Sequence, residues 1–376
     1  MRAERVFPDL DTFAYSDDLV LGDPREAVRV TQLVAEAFQH TPRTYNLEEA
    51  GPELANAVVQ YGPRREAEPD PFKIAFVDNT SHSHIVTQDL PSAAREALEA
   101  GRAAAKAGDF TKAEAQFGKA IAARSDVPGI HLELAAALAR RSPELAETEL
   151  RKTVHLDPTL STTHRDLAKL LLDRGDVTGA RLEIAQALAY WPTSASAFAL
   201  AQLIPRPSGD DQAHKKRIPA FPIFLDVDKA GAIRVAAAPS AAARMYGGCR
   251  ALLRFEPEMR AELFSTPRDM PYFLSAEEEM ICVEAGIGAT LVDRERAIDA
   301  GGKGTLDEQS EQLLRMAHTE GLLGYVMFEI IGQARPDLAR MAPAAVHRAI
   351  DQYVQRYVLD WDAGEEPKGF VASNLP

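Results

Sequence analysis

Two stretches decide the fold once they are laid over one another: residues 94–123, AREALEAGRAAAKAGDFTKAEAQFGKAIAA, and residues 161–190, STTHRDLAKLLLDRGDVTGARLEIAQALAY. Gly108-Asp109-Phe110 in the first aligns with Gly175-Asp176-Val177 in the second. Each turn is followed at helical spacing by small and large apolar residues: Ala113, Phe117 and Ala120, then Ala180, Ile184 and Ala187. A third copy lies between them, where Pro143-Glu144-Leu145 leads to Ala146, Leu150 and Thr153. Upstream of each turn a second helix aligns through Ala100-Gly101, Leu134-Ala135 and Leu167-Ala168, with Ala104, Leu138 and Leu171 three residues on. The period is about 34 residues. Each unit reads as helix A, a tight turn and helix B, and no single unit can bury its apolar face without a neighbour.

From about residue 94 to 204 the pattern resembles the tetratricopeptide repeat family. The third unit matches best, the first less closely, and the second is one residue short in its turn near Arg140-Arg141-Ser142. The family's aromatic early in helix A is replaced by Ala97, His131 and His164; Pro158 and Pro192 close the second and third units, and the first has no closing proline. Ala195–Ile204 predicts one more short helix, stopped by Pro205, that caps the array.

At 376 residues with 46% apolar content the chain has room for two or three domains with real cores. The division expected is an N-terminal α+β segment (1–90), the helical array (91–205), a polar linker (206–218), and a mostly helical segment that starts with a hairpin (219–376). The fold class is mainly α. Net charge is −14, which opposes nucleic acid as a main partner. Three windows, 1–90, 91–218 and 219–376, carry −8, +2 and −8, so the array repels an acidic segment least. No stretch approaches a membrane span, and the first residues lack an apolar signal region. The expected location is the cytoplasm. Cys249 and Cys282 offer no disulfide framework and no zinc spacing; Cys249, in an apolar helical run, reads as a buried structural thiol.

In the first segment, helices are expected over Pro24–Gln39 and Leu47–Gln60, followed by a charged, proline-containing loop from Gly62 to Asp70. Phe72–Val77 and His82–Thr87 read as one hairpin, and Phe221–Asp228 with Ala232–Ala236 as another. An isolated hairpin is marginal in water. The two are therefore expected to share one small mixed sheet, the alternative being two independent units. Ser275 with Glu278, and Thr305 with Glu308, are capping-box signatures, and Pro343 opens a last helix running to about Leu359.

The candidate chemistry is sparse. His82 and His84 fall on one face of a strand, and Asp226 and Asp228 repeat that spacing on the other hairpin. Together they can be imagined as a metal site, although alternating polar residues more often mark the wet face of an edge hairpin. Gly301-Gly-Lys-Gly304 lacks the spacing of a phosphate loop and reads as a connector. Cys249 has no local partner for nucleophilic catalysis; His318 and His347 are distant in sequence. Glu277, Glu278 and Glu279 with Glu284 suggest a helix carboxylate cluster for a di-metal site, but the Glu-x-x-His partner such a site needs is absent from the sequence; the expected reading is first-turn carboxylates that complement the macrodipole. His131 and His164, at equivalent positions, read as packing or surface histidines. No cofactor is implied.

The resemblance implies an inner surface lined by helix A. Its candidate contact residues are Arg95, Leu98, Arg102, Lys106, Leu132, Arg140, Arg165, Lys169 and Leu172. They are basic and apolar, a mixture suited to a peptide or protein partner with acidic and apolar side chains. The family's clamp for chaperone C-termini is not matched: Leu98, Arg102, Glu133, Thr162 and Asp166 stand where Lys, Asn or Arg are required. The expected function is a non-catalytic interaction scaffold. The alternative is a metal-dependent hydrolase or oxidase built from the flanks, with the array selecting a protein substrate. A third arrangement fills the inner face with the chain's own flanks, leaving the array as an internal frame.

Overall fold

The computed structural model describes residues 24–50, 68–77, 83–205, 218, 220–264, 268, 272, 275–306, 308–317 and 321–361. The chain is mainly helical, with a few short strands in two small sheets. Helix α1 (Pro24–His40) and strand β1 (Tyr45–Glu49) come first, then β2 (Lys73–Val77) and β3 (Ser83–Thr87). Three antiparallel helix pairs follow: α2 (Ser92–Lys106) with α3 (Phe110–Ala123), α4 (Pro128–Leu138) with α5 (Pro143–Leu156), and α6 (Ser161–Asp173) with α7 (Val177–Tyr190). The short α8 (Ala195–Ala201) ends the series.

Local chemistry sets these turns. Gly108 and Gly175 adopt φ of 79° and 83°, left-handed backbone that glycine supplies without steric penalty. The next residue caps the following helix: Asp109 Oδ1 accepts from the Lys112 amide at 3.0 Å, and Asp176 Oδ1 from the Gly179 amide at 2.9 Å. The middle unit has neither device. Ser142 makes no side-chain cap, and Pro143 starts α5 instead.

Beyond the array lie β4 (Ile223–Val227), β5 (Ile233–Ala237), α9 (Ala241–Phe255), α10 (Pro257–Phe264), the long α11 (Ala276–Asp299) and α12 (Glu308–Ala317). Helix α13 (Gly321–Tyr325) runs on through a π-helical stretch, Val326–Ile331, to Gly332–Ala334. After α14 (Pro336–Arg340), helix α15 (Ala344–Tyr353) also ends in a π-helical stretch, Val354–Val358.

The expected shared sheet takes a different form. The two hairpins do not meet: β2 and β3 pair only with each other, whereas β4 and β5 are joined by β1 in the order β1-β5-β4. β1 runs parallel to β5, with Tyr45 opposite Ile233 and Leu47 opposite Val235. Helix had been expected from Leu47. Leu47, Glu48 and Glu49 are good helix formers, but propensity is a weak prior, and the β5 ladder pairs the side of β1 that faces it, continuing to Ala50 N–H on Ala237 O at 2.9 Å. The rest of that expected helix falls outside the described residues.

The same junction is sealed by helices. Helix α1 packs along α11, and Thr31 Oγ1 donates to Ala285 O at 2.7 Å. Gly288 allows the approach, because a Cβ there would lie 2.0 Å from Ala27 O. Cys249 on α9 and Cys282 on α11 form a disulfide; the expected free thiol is therefore corrected. Both helices run side by side through the core, which is what brings two cysteines 33 residues apart together.

No helix among the described residues is long and apolar enough to cross a membrane.

Candidate functional site

The candidate contact residues lie on the A helices α2, α4 and α6, with Arg140 in the turn after α4. Two of them, Arg102 and Arg165, meet the chain's own segment 68–73. Glu68 and Asp70 both precede proline, which keeps them out of helical backbone. Pro71 then sits at the second position of a turn, with Lys73 N–H on Asp70 O at 3.0 Å and Phe72 N–H on Asp70 Oδ1 at 3.0 Å. The segment thus presents a carboxylate and, four residues later, an aromatic ring.

Each end meets a built receptor. Glu68 accepts from Arg165 Nη1 on α6 at 2.5 Å, from Ser194 Oγ at 2.8 Å, and from Ser196 Oγ. Burial pushes this carboxyl up, but the Ser196 hydroxyl and the Arg165 charge outweigh it and hold Glu68 below the ordinary carboxylate range. Arg165 is oriented from behind by Asp166, at 2.8–2.9 Å. At the other end the Phe72 ring lies flat against Gly129 in the first turn of α4, where any Cβ would come within 2.8–2.9 Å of three ring carbons. Arg102 of α2 caps the ring at 5.1 Å and is itself held by Glu133 of α4 at 2.6 Å. Pro69, between the two, is buried.

The remaining candidates divide. Arg95 donates to Leu90 O at 3.0 Å. Leu98 is 3% exposed and belongs to the core, so it lines nothing. Leu132 and Leu172 are half-buried against the core. Lys106 and Arg140 are exposed, and Lys169 is exposed beside Asp173 at 2.8 Å. Sequence reasoning missed Glu68, Phe72, Gly129, Ser194 and Ser196. The available signal was the doublet Glu-Pro-Asp-Pro-Phe: proline-stiffened, acidic and aromatic, complementary to a basic and apolar face.

His131 and His164 are buried and bridging. His131 Nδ1 meets Glu149 Oε2 at 2.6 Å and its Nε2 meets Ser125 O at 2.9 Å. His164 repeats this with Glu183 at 2.7 Å and Pro158 O at 2.8 Å. The histidine-to-glutamate separations are 18 and 19 residues, so the shorter turn of the middle unit appears directly in its side-chain contacts. His164 also stacks on Tyr190, which contacts the His347 ring at 4.0 Å between centroids. Burial pushes His347 down to about 4, and the neighbouring His164 adds to the shift.

Of the metal candidates, Asp226 lies in β4 of the three-stranded sheet, Asp228 in the turn that follows it, and His84 in the two-stranded sheet. Asp226 Oδ1 accepts from Val227 N–H, and Asp228 Oδ1 shapes the β4–β5 turn by accepting from the Ala230 and Ala232 amides. His82, the His84 side chain and His318 lie outside what is described. Among the described residues no group of three or more His, Cys, Asp or Glu side chains is placed to hold a metal.

A second polar cluster lies inside the flanking body. Glu278 and Glu279 do stand in the first turn of α11, and Ser275 Oγ caps the Glu278 amide at 3.1 Å. Both carboxylates are also buried, at 2% and 0% exposure, which their place in the first turn did not by itself imply. Glu279 accepts from the Tyr246 hydroxyl at 2.7 Å and forms an ion pair with Arg250 at 2.8 Å; Glu278 pairs with Arg260, whose guanidinium stands 5.3 Å from the Tyr272 ring. Burial pushes Glu278 up to about 7, against the pull of Arg260. These residues are enclosed by α9, α10 and α11, and a network of this kind fixes the packing of three helices in one register.

No protein-family model matches the chain, and no curated protein matches it either.

Proposed function

We propose that this chain is a non-catalytic interaction scaffold of tetratricopeptide type, whose helix-A surface holds a peptide or protein partner. One observation carries the reading. That surface already receives a polypeptide segment, with Arg165, Ser194 and Ser196 on its carboxylate and Gly129 and Arg102 on its aromatic ring. A polar grip and an apolar seat at a fixed separation are the elements of peptide recognition. The exposed Lys106, Arg140 and Lys169 extend the basic surface beyond the occupied track, and the acidic flanks discourage binding to nucleic acid.

The test is retention of partners from an extract of the native source by the full chain, compared with Arg102→Glu/Lys169→Glu and with Arg165→Gln. A stoichiometric partner retained by the wild type and lost at least tenfold from the variants, with unchanged helical content, is expected. Equal retention by all three chains removes this surface from the reading.

Cytoplasmic residence belongs to the same proposal, and it places a demand on the Cys249–Cys282 bridge, since disulfides seldom persist there. Both cysteines are fully buried, so an attacking thiolate reaches them only after local unfolding.

A further inference from the structure

We propose that residues 68–72 are an internal occupant of the helix-A surface, and that its external ligand is a polypeptide of the same chemistry: a proline-restrained acidic segment with an aromatic residue four positions after a carboxylate. The inference rests on the scaffold reading and adds the partner's class and the means of its exclusion. The receptor matches a carboxylate at one end, where Arg165 and two serines hold Glu68, and an aromatic ring at the other, where Arg102, itself paired with Glu133, stands over Phe72. The spacing follows from the seats. Arg165 and the two serines grip at α6 and α8, and Gly129 leaves room for the Phe72 ring where a Cβ would come within 2.8–2.9 Å of it.

The prolines make the segment a good occupant. Each of Glu68 and Asp70 loses little freedom on docking because the following ring has already restricted it. Tethering adds a high effective concentration: β2 begins at Lys73, whose carbonyl is fixed by Arg340 of α14 at 2.5 Å. An external peptide binds only the fraction of molecules in which the segment has left, so its apparent affinity falls by that fraction.

The experiment compares full-length chains against a fluorescein-labelled peptide copying residues 65–73, read by anisotropy. The chains are the wild type, Glu68→Ala/Phe72→Ala, and the same double variant with Arg165→Gln. The expected result is binding at least tenfold tighter to the double variant than to the wild type, and loss of most of that gain on adding Arg165→Gln. Equal affinity for wild type and double variant, or no binding to a double variant with wild-type helical content, overturns the proposal. Glu68→Gln, which keeps the shape of the segment, is expected to shift affinity in the same direction by a smaller factor and serves if the double variant does not fold. A random peptide library selected on the wild type separates the two readings. Peptides that bind through Arg165 but lack the acidic–aromatic spacing leave the scaffold standing and sink this inference. If no peptide depends on Arg165 on any chain, both fall.

Discussion

The helix pairs and the body that flanks them are held by different kinds of contact. In the pairs, the glycine turns, aspartate caps, small residues at crossings and histidine–glutamate bridges each join residues fewer than 20 apart and recur. In the flanking body and at its junction with the pairs, the decisive contacts occur once and join distant parts. β1 pairs with β5, Thr31 reaches Ala285 across 254 positions, and Arg340 reaches Asp157 across 183. Repeated local contacts can be lost one at a time with modest effect, whereas a single long-range contact in a close-packed junction has no substitute.

The largest expected effect is therefore at the junction itself. Arg340 and Asp157 are 2% and 1% exposed and bond at 2.9 Å, and Arg340 also bonds Thr159 and the Lys73 carbonyl. Arg340→Met leaves a buried carboxylate without its cation and is expected to destabilise by about 3–5 kcal/mol in urea titration. Adding Asp157→Asn should recover much of that, since the uncompensated charge is then gone. A loss below 1 kcal/mol would mean that the array and the flanks are not coupled through this pair.

Next in size is the disulfide. Closing a loop over a separation of 33 residues is worth about 3–4 kcal/mol on the chain-entropy scale. Cys249→Ala/Cys282→Ala should lower stability by that order and affect the flanking body first, seen as earlier amide exchange in α9 and α11 than in α3 or α5. Simultaneous loosening of both regions would show that they unfold as one unit and would erase the contrast.

His347, at the contact of α15 with α7, gives the comparison a pH dependence. Its folded value of about 4 lies below its ordinary one, so the unfolded chain binds the extra proton. Its contribution is present above about 6.5 and is lost as pH falls through 4. Stability of the wild type should drop across that window, and His347→Phe, which keeps a ring against Tyr190, should flatten the slope. Glu278, raised to about 7, acts in the opposite sense: what it contributes is present below the ordinary carboxylate range and lost as pH rises through 7. Urea midpoints measured from pH 4 to 8 for wild type and His347→Phe separate the two.

This contrast also explains what was legible in the sequence. The helix pairs were readable because Gly-Asp turns and the spacing of Ala113, Phe117 and Ala120 are local signals that repeat. Even the short middle turn was visible before its side-chain contacts were known. The cysteine bridge, the burial of Glu278 and Glu279, and strand β1 were not, because each depends on a partner at least 18 positions away that no periodicity announces. The proposed binding surface was half legible. Arg102 and Arg165 stood out as basic residues on helix A, and the Glu-Pro-Asp-Pro-Phe stretch carried a complementary composition, but no spacing tied Glu68 to Arg165, 97 positions away.

The smallest expected effect tests whether repeated contacts are as separable as their locality implies. Asp109 and Asp176 cap equivalent helices, while Ser142 makes no side-chain cap in the middle unit. Asp109→Ala and Asp176→Ala should each cost about 1 kcal/mol, and the double variant should equal their sum, because the two caps share no partner. Ser142→Ala should cost almost nothing, since its hydroxyl has no amide to lose. The informative outcome is the position dependence. Asp109 lies in the first pair and Asp176 in the pair packed against α14 and α15. If Asp176→Ala instead costs clearly more than Asp109→Ala, the last pair unfolds together with the flanking body, and the boundary between local and long-range stabilisation runs through α6 and α7, not after α8.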